Sequence, residues 1–201
     1  MQTIPIDDVN TIRARIAQAH ILAAERFRDA FAATGDWHAH LEIQAAALLE
    51  TAGGVRLPEG RRVSYRFDGR VVTPYVVEGE PLWPYFDVDR TPAAVLEYWL
   101  IASEISASTA WAMTKLIADR DDYDAALRRM QQPQLVRALV ASFLPSAELR
   151  DDGSAFLEVT VYTRAAEERV ERRLLAMGED NELQFHSREL IAEGRGGVPA
   201  A

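Results

Sequence analysis

The run Thr91–Arg120, TPAAVLEYWLIASEISASTAWAMTKLIADR, constrains this chain more than any other stretch. Between Tyr98 and Thr114 its only charge is Glu104. After Pro92 no Gly or Pro interrupts it, which is room for about eight helical turns. Thr91 is a good N-cap, because its hydroxyl can accept a bond from an unpaired first-turn N–H. Pro92 suits the first helical position, where its missing donor costs nothing. The spacing therefore predicts one long helix over 91–120. Glu97, Glu104, Ser108, Lys115 and Asp119 would line one polar edge, with Val95, Trp99, Ala110, Met113 and Ile117 opposite. Such a helix should be buried around most of its circumference, with the other segments wrapped on it.

A membrane crossing is not expected of this helix. A spanning helix needs about 20 mainly apolar residues, whereas Glu104 sits mid-run and Ser103, Ser106, Ser108, Thr109 and Thr114 surround it. The 201 residues suit one domain, expected over 1–193 with a flexible tail at 194–201. A hydrophobic content of 48% with 26% charged residues is that of a globular chain. The net charge of −9 argues against nucleic acid as a partner, since phosphate binding rests on Lys and Arg. The absence of Cys removes disulfides, thiolate metal sites, iron–sulfur clusters and Cys nucleophiles together. The first residues, MQTIPIDDVN, lack the basic and apolar regions of a signal peptide, so a cytoplasmic protein is expected.

Along the chain, Asp7 or Asp8 can cap a helix to about Ala33, with Val9, Ile12, Ile16, Ala19, Ala23 and Phe27 on one stripe. Asp36 can cap a second helix, Trp37–Ala52, ended by Gly53-Gly54 and antiparallel to the first. Arg61–Val77 alternates around Asp68-Gly69, the signature of a β-hairpin. A two-residue loop there would set Tyr65 against Val72 and Val63 against Pro74. Beyond the central helix, Asp121 or Asp122 starts a short helix carrying Tyr123, Leu127 and Met130. Pro133 should open another, containing Leu135, Val136, Leu139, Val140 and Phe143. Ala155–Thr163 reads as a strand with Leu157, Val159 and Val161 on one face. Arg164–Met177 has helix formers throughout and is expected to be helical; its alternative is the middle strand of a three-stranded meander. Leu183–Ser187 reads as strand. The class expected is a single-domain α+β fold with about six helices, a hairpin in the N-terminal half and a small C-terminal sheet.

Several residues carry possible chemistry. His38, His40 and Glu42 alternate as metal ligands do on a strand, but on a helix His38 and His40 point about 200° apart. Their plain reading is as helix-start and helix-surface residues. Glu104 is a candidate general acid–base if desolvated, because burial raises a carboxyl pKa; its plain reading is a place on the polar edge. His186 shares a strand face with Gln184 and Arg188, which would suit an anion or simply solvent. Trp83, Tyr85 and Phe86 lie on a proline-rich segment and, with Trp99 and Trp111, are candidate ligand or partner contacts. No HExxH, phosphate-loop, GxSxG or EF-hand pattern occurs.

These features lead to a non-catalytic binding or assembly protein, expected to be homodimeric and without cofactor. It would hold a small molecule between the central helix and the sheet. The alternative is an enzyme of hydrolase or lyase type with a dispersed site built from Glu104, His38, His40, Glu42 and His186, with a metal as its possible aid.

Overall fold

The computed structural model describes residues 3–34, 38–67, 72–76, 81–107, 113–137, 142–164 and 167–195, the side chains of 29–34, 38, 67, 72, 107, 113 and 195 excepted. The chain divides into two compact units, one of residues 8–109 with 180–182 and one of residues 1–7, 110–179 and 183–201.

In the helical unit, α1 (Val9–Thr34) and α2 (His38–Thr51) form the expected pair. Phe27 meets His40 at one end, with ring centroids 4.5 Å apart, and Arg15 reaches Gly53 at the other, so the two run antiparallel. Val9, Ile12, Ala19 and Ala23 are buried, as their three- and four-residue spacing requires. A short ladder, β2 (Val55–Arg56) with β5 (Asp87–Val88), follows the Gly53-Gly54 turn. The hairpin of β3 (Ser64–Phe67) and β4 (Val72–Tyr75) is present, but Tyr65 faces Pro74 and Phe67 faces Val72. That register differs from the expected one by two residues. Asp68-Gly69 and the rest of 68–71 lie outside the described residues.

The third helix, α3, runs only from Pro92 to Ala107. Its first part is a core helix: Ala94 through Trp99 are all buried, as are Ile101, Ala102 and Ile105. The expected rod over 91–120 is not formed, because Met113–Ile117 is a strand, β6. The helix propensities of Met, Thr, Lys, Leu and Ile differ by less than about 0.7 kcal/mol each. Pairing of all five residues with the sheet and burial of Leu116 and Ile117 outweigh that preference.

In the sheet unit, β1 (Ile4–Pro5), β8 (Ser146–Leu149), β9 (Ala155–Arg164), β10 (Glu167–Met177), β11 (Leu183–Arg195) and β7 (Gln131–Leu135) lie in that order, with β6 also paired to β9. One edge of β9 pairs with β10 throughout; its other edge is shared by β8 at Ala155–Glu158 and β6 at Thr160–Arg164. The β8–β9 hairpin turns at Gly153, whose φ of 83° a side chain would strain. Leu157, Val159 and Val161 are buried on one face, as their alternation requires. The seven-stranded sheet is much larger than the small C-terminal sheet expected.

Glu167–Met177 is not helical; it is β10, the middle strand of the meander, and Ala165 and Ala166 lie outside the described residues. β10 has strands on both sides, so its backbone groups find partners on alternating edges along its length. The register against β10 skips His186 and Ile191, two bulges that add to the twist of β11. The helix expected from Pro133 is likewise absent among the described residues. Gln131–Leu135 is the edge strand β7, where a proline without an N–H is tolerated. Against this sheet packs α4 (Arg120–Arg129), capped by the Asp119 carboxylate, which accepts from the Asp122 N–H at 2.8 Å. Tyr123, Ala126 and Met130 form a core with Ile117, Phe143, Tyr162, Val170 and Ile191. The described residues thus hold four α-helices rather than about six, and the α+β class stands. Gly194 and Arg195 close β11, while residues 196–201 lie outside the described residues.

Candidate ligand groove on the second helix

The sequence of α2, HAHLEIQAAALLET, is apolar around most of its circumference. Such a helix normally needs cover on every side. One side has it: Ala45, Ala47 and Leu48 are buried. The opposite face, Ala39, Ile43, Ala46 and Leu49, follows the i, i+4, i+7, i+10 spacing of a helix surface and is only partly covered. These four residues form one wall of a groove of about 620 Å³, completed by Glu42, Glu50, Arg56, Leu57, Arg61, Arg62 and Val63. Small-molecule sites are commonly clefts of about 300–1,000 Å³ with apolar walls and a few polar groups.

The groove is held in shape from behind by one buried carboxylate. Glu97, on α3, is 1% exposed. It accepts from the Arg15 Nε at 2.7 Å and from the backbone N–H groups of Gly53 and Gly54 at 3.0 and 2.8 Å. It therefore ties α1 and α3 to the turn that joins the α2 wall to the opposite wall. Gly54 approaches α3 so closely that a Cβ would lie 2.6 Å from that of Ala94. Glu97 was expected on an exposed polar edge. The Arg15 guanidinium and the N–H groups of the two glycines together make burial tolerable there, and none of the three is near in sequence.

Charge in the groove is partly spoken for. Arg56 pairs with Asp87 at 3.2 Å and with Asp89. Its hydrogen bonds hold the Asp89 carboxyl below its usual range. Glu50 takes two bonds from Arg26, at 2.7 and 3.1 Å, which likewise hold its carboxyl low. The Arg61 guanidinium lies over the Tyr85 ring, 4.9 Å from its centroid, and has no carboxylate partner among the described residues. Arg62 and Glu42 have no hydrogen-bond or ion-pair partner among them either.

The residues singled out in the sequence are spread through the helical and sheet units. Glu42 lines the groove. His40, two positions earlier, turns away from Glu42 and packs edge-on against Phe27, its Nδ1 buried without a partner among the described residues. The side chain of His38 and all of Trp111 lie outside the described residues. Glu104 is half exposed and 3.6 Å from His20 Nε2, a surface pair. His186, on β11 of the sheet unit, is exposed and packs edge-on against Phe156. Among the described residues no three His, Asp or Glu side chains gather as a metal site would need.

The aromatic segment is structural for the most part. Phe86 is buried between Trp83, stacked at 6.4 Å, and Tyr98, edge-on at 5.3 Å. Tyr98 donates to the Asn181 carbonyl at 2.8 Å, and the Asn181 amide donates to the Phe86 carbonyl at 2.6 Å. Burial, then the Asp180 charge, pushes the Tyr98 hydroxyl well above its ordinary pKa. Trp99 is 5% exposed, a core residue. Ile43, Leu49, Arg61 and Arg62 were not singled out in the sequence. The available signal was a helix too apolar for a single buried face. No family model, curated protein or solved structure matches the chain, and no helix among the described residues is long and apolar enough to cross a membrane.

Proposed function

We propose that this chain is a non-catalytic binding protein that holds a small molecule with an apolar body in the groove on α2. The observation that carries this reading is the partly uncovered face of Ala39, Ile43, Ala46 and Leu49, set in a groove of about 620 Å³. Water against such a face is displaced favourably, at about 25 cal/mol per Å² of apolar area. The binding protein expected from the sequence is kept, with its ligand placed on α2 in place of the central helix and sheet. Homodimer formation belongs to the same proposal.

The test is native mass spectrometry of the purified full chain and of an Ile43→Trp variant, whose indole would fill the groove. A retained small molecule in the wild type, lost in the variant, is the expected result, and the same spectrum reads subunit number. Equal retention in both proteins would place the ligand elsewhere. If neither protein retains anything and neither takes up added apolar probes, the reading fails.

A further inference from the structure

We infer that the groove on α2 is built for an amphipathic monoanion, a carboxylate head on an acyl chain of medium length. This rests on the reading of the groove as a ligand site and names the ligand's chemistry. The head follows from the charge inventory. Arg56 is taken up by Asp87 and Asp89, which together carry one negative charge more than it does, and Glu50 is neutralised by Arg26; the lining itself, Arg56, Arg61 and Arg62 against Glu42 and Glu50, carries one net positive charge. What remains unpaired among the described residues is Arg61, Arg62 and Glu42, one net positive charge. A guanidinium presents a planar fork that matches a carboxylate with two parallel bonds. Stacking on Tyr85 limits the freedom of the Arg61 guanidinium, so less entropy is lost when it binds an anion. Glu42 sets the upper limit on ligand charge, because a second negative charge would meet its carboxylate with no further cation to offset it.

The body follows from the wall. Ala39 to Leu49 spans about 15 Å at 1.5 Å per residue, with apolar side chains along the whole length and Leu57 and Val63 across from them. That is an elongated apolar track, suited to an extended chain.

The test is isothermal titration of the full chain with dodecanoate, dodecanol, dodecyltrimethylammonium and dodecyl phosphate, each kept monomeric. Dodecanoate should bind tightest, with dodecanol about tenfold weaker and the cation weaker still. Arg62→Gln and Arg61→Gln/Arg62→Gln should each bring dodecanoate toward the affinity of dodecanol. Glu42→Gln should act in the opposite direction, raising affinity for dodecyl phosphate severalfold. Far-ultraviolet circular dichroism of each variant confirms its fold. Equal binding of dodecanoate and dodecanol, both abolished by Ile43→Trp, would overturn the assigned head group while leaving the groove as a site. Dodecyl phosphate binding tighter than dodecanoate would overturn the monoanion. No binding of any probe would remove the ligand site and this inference with it.

Discussion

Removing the Glu97 carboxylate should loosen the helical unit more than any other single polar change. In Glu97→Ala the N–H groups of Gly53 and Gly54 lose their acceptor, and the Arg15 guanidinium loses its partner. Breaking a buried pair costs about 3–5 kcal/mol. Arg15 is 33% exposed and can turn to water, so the low end applies, about 3 kcal/mol. For a chain of this size that is roughly 6–12 °C in Tm. Glu97→Gln keeps an acceptor but not the charge and should cost about half as much. The assay is urea unfolding followed by tryptophan fluorescence, because Trp37, Trp83 and Trp99 all lie within residues 8–109. A double-mutant cycle with Arg15→Ala should give a coupling of about 1 kcal/mol or more. A Glu97→Ala protein within about 0.5 kcal/mol of wild type, the range of ordinary surface changes, would refute the reasoning.

Two further outcomes are expected. Gly54→Ala drives a methyl against Ala94, 2.6 Å from its Cβ, and should cost about 1–3 kcal/mol of overpacking; adding Ala94→Gly should restore most of it, read by the same urea melts. Burial, then the hydrogen bond to Glu168, pushes the Tyr162 hydroxyl from 10.0 up to about 12. The folded state thus holds this proton more tightly than the unfolded chain. The resulting stability is complete below pH 10 and is lost as pH rises toward 12. Stability against pH for Tyr162→Phe should be flatter across that window than for wild type, and an equal slope in both would exclude Tyr162 as its source.

The sequence was most legible where one periodicity had no rival. The stripe of α1, the alternation of Leu157, Val159 and Val161, and the shared side of Tyr123 on α4 and Met130 at its C-cap each declared a face that the fold buries. It was least legible where good helix formers are drawn into a sheet. Met113–Ile117 and Glu167–Met177 carry helical composition, yet each lies beside β9, whose long apolar run supplies a ladder that no local propensity reveals. The register of the β3–β4 hairpin escaped because the alternation of Val63, Tyr65 and Phe67 fits pairings two residues apart equally well. The groove was half legible. Glu42 was named beside His38 and His40, of which His40 packs on Phe27, while the apolar excess of α2, the signal that marks the groove face, was not among the features singled out. Arg61 and Arg62 gain their meaning only from which carboxylates the fold gives to Arg56 and which it leaves away from them.

Hydrogen–deuterium exchange of the full chain, with and without saturating dodecanoate, tests the groove most directly. Binding there should slow exchange in α2 and in residues 55–63 opposite it, and leave β8–β11 unchanged. Protection confined to the sheet, or none at all despite bound dodecanoate, would contradict the assignment of this face of α2 as the ligand site.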